Sequence, residues 1–415
     1  MKKLLFISFF IVSLAALAQK PADFKKAYKP IRAALKAKKP TDALTVINKL
    51  AADTIYNRDP KLYAFGIDAE LLLCESFNEK MYLGQKIDTA QFFQANRDLC
   101  RFILRCDTAG QRLLELATAK PNPKKSSIGE FYRRQNRQLL HQYYPNLSAA
   151  ARFHYSKKQF AEARKYFALY FSLPHHPIWG TDSSAIATKT FSENIYLDFR
   201  AMFELKQYDE MQQFADTLLA DSALHEQVLD MLVTAAQGRG DTVAYYKLVN
   251  QGLAENPDRL DYFAILTNYH TERGDYEAAL ALANTLLQRD SINRYYLQSR
   301  CLSLFKLNRL EESRVAAERL AAVDTTAAEA QYVLAHYYVQ QAELVKLPRQ
   351  TRSALYKSAK RRQAELFAKA RGHAERLRAL QPEDRERWAP FLYKIYLNLN
   401  LGKEFEEIQR LVGDS

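Results

Sequence analysis

The sequence predicts an all-α chain of antiparallel helix pairs, and three observations carry that expectation. Apolar residues recur at helical spacing over most of its length. The 25 Tyr and 23 Phe are spread along the whole chain, while only 12 Gly and 13 Pro interrupt its 415 residues. Turn and helix-cap signals return at a period of about 34 residues, the mark of a repeat array. Gly/Ser-rich and Pro-rich linkers are absent, so one continuous array is expected rather than domains on flexible tethers.

Residues 1–18 read as a secretory signal peptide. Met1-Lys2-Lys3 precede an apolar run from Leu4 to Ala18 that only Ser8 and Ser13 break. Ala16-Leu17-Ala18 completes the pattern, with cleavage expected before Gln19. The run is shorter than the roughly 20 residues a spanning helix needs, and no later segment is apolar enough to cross a membrane. The expected location is therefore exported, in the periplasm or cell envelope of a bacterium.

Residues 19–143 carry apolar and aromatic residues at helical spacing over Phe24–Ala37, Thr41–Ala52, Lys61–Lys80 and Gln91–Cys106. Pro121-Asn122-Pro123 then breaks the chain. Without clear turn glycines this region reads as an irregular cap or as divergent repeats, since an array needs a terminal unit over its exposed core. Cys100 and Cys106 point in nearly opposite directions on one helix and cannot bridge. Cys74 on the preceding helix could meet Cys100; otherwise all four cysteines, Cys301 included, are small buried residues.

The repeat is clearest over Leu260–Asn293. Phe263 and Leu266 begin one apolar stripe, Gly274-Asp275 makes a turn, Ala278 and Ala279 allow close approach, and Leu282, Leu286 and Leu287 form a second stripe. Glycine at the turn is free to take the left-handed conformation that ends a helix. Arg294–Ala327 keeps step, with its turn at Asn308-Arg309, and a third copy begins at Ala328 with Leu334, Ala335 and Tyr338. Upstream, His225–Asp258 (turn Gly240-Asp241), Glu193–Ala223 (turn Lys206-Gln207) and Tyr144–Pro177 fit the same pattern. These units resemble the tetratricopeptide repeat (TPR). The resemblance covers 144–340 firmly and 341–415 as a C-terminal TPR-like region, and it implies a solenoid in which the helix pairs wind as an α-α superhelix. Ser313, Met211 and Tyr245 depart from the small residue usual in the second helix.

One stretch breaks the period. The closing signal Leu380-Gln381-Pro382 falls 23 residues late. The extra length holds Pro348 and a basic helix, with ten Lys/Arg against Glu365 and Glu375 between Arg349 and Arg378. Leu355, Ala359, Leu366, Ala370, Ala374 and Leu377 make its expected apolar stripe, so an elongated helix pair with a basic outer face should project.

No phosphate-cradling glycine loop, zinc helix or CxxC pair appears, so no catalytic residue, metal ligand or cofactor is assigned and no enzymatic activity is expected. His175-His176 lies between two prolines and reads as a loop. Arg239-Gly240-Asp241 is explained by the repeat turn. Asp followed by Ser or Thr recurs at Thr54, Thr89, Thr108, Ser222, Thr242, Ser291 and Thr325, read either as O-glycosylation sites or as helix caps; a further copy at Thr217 falls in mid-helix.

The charge is +13, falling to +11 without Lys2 and Lys3. That attracts polyanions, and export takes nucleic acid out of reach. The TPR resemblance implies that first helices line a concave groove, and so points to Arg152, Tyr155, Tyr196, Arg200, Asn268, Gln298, Tyr332 and His336. Arginine, amide and tyrosine side chains suit an extended peptide or acidic tail. A protein partner of unstated identity is the first expectation. An anionic glycan or lipid surface, met by Lys357, Lys360, Arg361 and Arg362, is the second.

Overall fold

The computed structural model describes residues 23–119, 123–180 and 189–413. The expected signal peptide lies outside them. The described residues form helices and no strand, in two compact units that divide between Arg239 and Gly240. None of these helices is long and apolar enough to cross a membrane.

The first unit contains α1 (Phe24–Ala27), α2 (Lys29–Lys36), α3 (Pro40–Ala51), α4 (Pro60–Tyr82), α5 (Thr89–Ala119), α6 (Pro123–Ser156), α7 (Phe160–Ser172), α8 (Lys189–Glu204), α9 (Tyr208–Leu219) and α10 (His225–Gly238). One core runs through Tyr28, Ile47, Leu62, Leu99, Ile103, Leu140, Phe167 and Trp179. It passes without interruption across residue 143, where the repeats were expected to begin. The reason is α6. This helix starts at Pro123, well ahead of Tyr144, and carries Pro145 in its interior. A proline removes one backbone donor and commonly ends a helix, so the sequence pattern places a start where the structure has a middle. Likewise α5 continues past Cys106 to Ala119.

The second unit contains α11 (Thr242–Glu255), α12 (Leu260–Glu272), α13 (Tyr276–Leu287), α14 (Arg294–Lys306), α15 (Leu310–Val323), α16 (Ala328–Glu343), α17 (Ala354–Leu380), α18 (Arg385–Asn398) and α19 (Gly402–Gly413). α12–α13, α14–α15, α16–α17 and α18–α19 are the pairs.

A single turn builds most of these hairpins. Lys206, Gly274 and Asn308, at the hairpin turns, and Gly240, where the two units divide, have φ of 57°, 73°, 58° and 71°. They are evenly spaced along the chain, one to each repeat. At Gly274 the amide of Asp275 donates to the His270 carbonyl at 2.8 Å, and that of Gly274 to the Thr271 carbonyl at 3.1 Å. Lys206-Gln207 and Asn308-Arg309 repeat both bonds. This is the Schellman closure, which satisfies the last carbonyls of the first helix. The residue after the left-handed one then caps the second helix. Asp241 and Asp275 do so with their carboxylates, accepting from Ala244 and Ala278. Lys38, Gly84, Lys158 and Asn400 adopt the same left-handed turn. The N-terminal region therefore lacks most of the glycines but not the turns.

The second helices show how the departures from the repeat are absorbed. Ser313 and Met211 are fully buried, as is Ala279 at the equivalent place. Buried Asp198 on α8 accepts from Arg164 of α7 at 3.1 Å, and the same guanidinium reaches Glu210 of α9 at 3.0 Å. Burial pushes the Asp198 carboxyl up to about 6, against the pull of Arg164.

The α16–α17 pair differs. α17 is 27 residues long, where α13 has 12 and α15 has 14. It packs on α16 through Phe367, Ala370, Ala374 and Leu377, all buried. The expected stripe is wrong at its start, because Leu355 is 74% exposed. α16 ends at Glu343, so the first two turns of α17 have no helix opposite them.

Candidate partner-binding groove

In the first unit, α6 and α8 bring Arg152 and Tyr196 to one cleft of about 750 Å³, together with Glu193, Leu197, Leu218 and Leu224. Both polar groups already have partners. Arg152 pairs with Glu193 at 2.7 Å and donates to Asn194 at 2.9 Å. The Tyr196 hydroxyl donates to Gln227 at 2.7 Å. Arg200 is exposed, with its guanidinium 5.8 Å from the Tyr196 ring centre. Tyr155 is half-buried against Phe160 at 5.4 Å, and burial raises its pKa. Leucines and the Arg152–Glu193 ion pair thus dominate this cleft.

In the second unit, α12 and α14 face each other across a cleft of about 440 Å³. Phe263, Ala264, Thr267, Asn268 and Thr271 line one wall, and Tyr295, Gln298, Ser299, Leu302 and Lys306 the other. Each set follows the i, i+3, i+4, i+7 spacing of one helix face. Asn268 and Gln298, both expected from sequence, meet here. The walls hold an unexpected feature: the hydroxyls of Thr267 and Ser299 are buried and have no partner within the protein. Ser299 is 8% exposed. A buried polar group left unpaired costs roughly 1–3 kcal/mol, so two lining one cleft define a place where a bound group gains hydrogen bonds.

Tyr332 and His336 stand on α16 among aromatic rings. Phe305 of α14 lies 5.7 Å from Tyr332 and 4.9 Å from His336, edge to face. Phe391 of α18 lies 5.4 Å from Tyr332. The guanidinium of Arg387 sits 4.8 Å from the Tyr332 ring centre and reaches Glu329 at 3.6 Å. Burial lowers the His336 pKa, which favours the neutral ring. His336 Nδ1 and, one turn on, Gln340 Oε1 are buried without a partner in the protein. Phe305, Phe391, Arg387, Thr267, Ser299 and Gln340 were not expected from sequence. The expected positions do follow the repeat, since Gln298 and Tyr332 occupy equivalent places in successive copies, as do Asn268 and, two copies on, His336. Phe391 falls after the period has broken and carries no register.

The other sequence candidates resolve simply. All four cysteines are reduced and buried, and burial pushes their thiols up to about 12. The His176 imidazole accepts from the Ile178 amide at 3.2 Å, and burial lowers its pKa. Among the described residues no His/Cys/Asp/Glu group is arranged to hold a metal. Asp53, Asp88, Asp221, Asp241, Asp290 and Asp324 each accept from a backbone amide two or three residues ahead. Capping accounts for Asp88 and Asp241, at the starts of α5 and α11, and Asx turns between helices account for Asp53, Asp221, Asp290 and Asp324. Lys357, Arg361 and Arg362 are exposed and Lys360 is half-buried, all on the first turns of α17.

No family model matches the chain, and no curated protein matches it. Solved structures similar to it include TPR proteins. The C-terminal part of a TPR repeat-containing protein from Cytophaga hutchinsonii is 11% identical, covering 63% of this chain and 98% of its own, at a TM-score of 0.31. Yeast Tom70 is 12% identical, covering 91% of this chain and 98% of its own, at a TM-score of 0.28. The TPR domain of P58(IPK) is 12% identical, covering 95% and 99%, at a TM-score of 0.24. What makes the fold of this chain TPR-like is its own set of antiparallel helix pairs, closed by left-handed turns that return once per repeat.

Proposed function

We propose that the chain is a non-enzymatic interaction scaffold of the bacterial cell envelope, exported by residues 1–18, that grips an extended segment of a protein partner on its first helices. The observation that carries this reading is the row of buried, unpaired polar atoms on consecutive first helices of the second unit: Thr267 Oγ1, Ser299 Oγ, His336 Nδ1 and Gln340 Oε1. They lie beside apolar and aromatic walls. An extended peptide supplies both halves of what such a surface lacks, backbone donors and acceptors for the polar atoms and side chains for the apolar walls. Asn268 and Gln298 at the rim add amides that pair with peptide backbone.

The test is crosslinking and capture from the native envelope, comparing wild type with Asn268→Ala/Gln298→Ala and with Tyr332→Ala/His336→Ala. A partner held by wild type and lost from both variants, each with an unchanged melting temperature, supports the reading. Capture of the same partner by all three chains overturns it. Recovery of an intact N-terminus from the envelope fraction, in place of one beginning at Gln19, overturns the signal peptide.

A further inference from the structure

The end of the α16–α17 hairpin is built unlike any other turn of the array. The pair is zipped as far as Gln363, whose side-chain amide donates to the Ala342 carbonyl at 3.1 Å. Beyond that bond α16 stops, and a connection over 344–353 leads into the first turns of α17. At 1.5 Å per residue, Ala354 stands about 13 Å past the level of Ala342.

Two kinds of side chain occupy this tip. Leu344, Leu347 and Leu355 are 66%, 39% and 74% exposed. Around them, the stretch from Leu344 to Gln363 contains seven Lys/Arg and no Asp or Glu. Lys346, Arg349, Arg352, Lys357 and Arg362 are exposed and have no carboxylate partner among the described residues; Arg361 pairs with Glu365 at 3.0 Å. A tip held only by solvent has no use for three exposed leucines, and the rest of the fold does not cover them.

We propose that this tip docks on an anionic lipid bilayer. The proposal stands apart from the peptide groove, which lies on other residues. The order along the tip matches an interface: Leu355 at the apex enters the upper acyl region, and the long stems of the lysines and arginines further along α17 keep their charges at headgroup level. Each cation near an anionic surface strengthens binding about fivefold at modest ionic strength. Leucine distinguishes this occupant from a soluble anionic polysaccharide, which would use the cations alone. Ser353 accepts from the Tyr356 amide at 3.1 Å and so caps α17 at the apex, which fixes Leu355 beside the connection rather than on a fraying end.

The experiment is co-flotation of the full chain with vesicles of phosphatidylglycerol and phosphatidylcholine, and with vesicles of phosphatidylcholine alone. Two variants are compared with wild type: Leu344→Ser/Leu355→Ser, and Lys357→Glu/Arg361→Glu/Arg362→Glu. All five positions are exposed, so both variants should keep the wild-type thermal unfolding. The expected result is binding to the anionic vesicles only, weakened about tenfold or more by either variant. Loss in the charge variant with full binding in the leucine variant overturns the proposal in favour of a plain polyanion patch. Binding that survives both variants places the contact elsewhere, the N-terminal apolar run included, and overturns it as well. So does failure of wild type to float.

Discussion

Ser313 on α15 donates its hydroxyl to the carbonyl of Cys301 on α14, 3.0 Å away across the helix pair. The Cys301 thiol in turn faces the Ser313 carbonyl at 4.0 Å. Serine stands where the preceding pair has Ala279, and both are fully buried. The hydroxyl is tolerated there because it is satisfied at once by the neighbouring helix. Ser313→Ala is expected to cost less than about 1 kcal/mol, the usual net worth of a hydrogen bond. Ser313→Leu forces the two helices apart and should cost roughly 2 kcal/mol or more. Urea unfolding of the two variants checks both values.

The left-handed turns make a prediction of the opposite sign. A side chain at positive φ costs roughly 1 kcal/mol that glycine avoids. Lys206→Gly and Asn308→Gly should therefore stabilise the chain, each raising the thermal midpoint. Gly274→Val should lower it by more than alanine does. A Cβ on Gly274 meets nothing within 4 Å, so a loss there reports backbone conformation and not crowding.

Glu70 supplies a pH dependence. It is 4% exposed, beside Asp98 in a small pocket that also holds Asn48, Arg101 and Arg105. Burial, aided by the Asp98 charge, pushes its carboxyl up to about 8 from an ordinary 4.5. The folded chain then holds a proton that the unfolded chain has released. Stability should fall as pH rises from about 4.5 to about 8 and level off above that. Glu70→Gln should remove this slope, matching wild type near pH 4 and exceeding it near pH 9 by a few kcal/mol at most. Melts across the range decide; parallel profiles for the two chains would refute the assignment.

The unpaired hydroxyls separate folding from binding. Thr267→Val and Ser299→Ala remove groups that gain no bond within the protein. Each should leave stability unchanged or slightly raised, while weakening partner binding about fivefold. A drop in both properties together would show that the hydroxyls serve the fold.

Much of this architecture is legible in the sequence because its determinants are local. Gly240 and Gly274 announce their turns, and the aspartates after them announce the next helix. The reading thins where one chemical type does the work of another. Lys38, Lys158 and Lys206 enter the left-handed region that glycine marks elsewhere, and Tyr144, where a repeat was expected to begin, sits beside Pro145 in the interior of a helix. The groove was legible as a face but not as chemistry. The TPR resemblance pointed to Asn268 and Gln298 on one face, yet it could not show that Arg152 is already engaged by Glu193 or that Ser299 is not engaged at all. Those facts depend on which neighbour each side chain meets, and that is settled by packing between helices distant in sequence.

The connection from Leu344 to Ser353 also bears on how the second unit assembles. A tight turn lets one helix template the next almost without a search, so order can spread from pair to pair. Joining α16 to α17 means closing a much longer loop, an added entropic penalty of roughly 1 kcal/mol. The advancing front should pause there, with α11 to α16 formed and α17 to α19 still to be recruited. During that pause Val339, Ala342 and the other residues that α17 later covers face water, which makes this hairpin the joint at which a folding helper or a protease gains access.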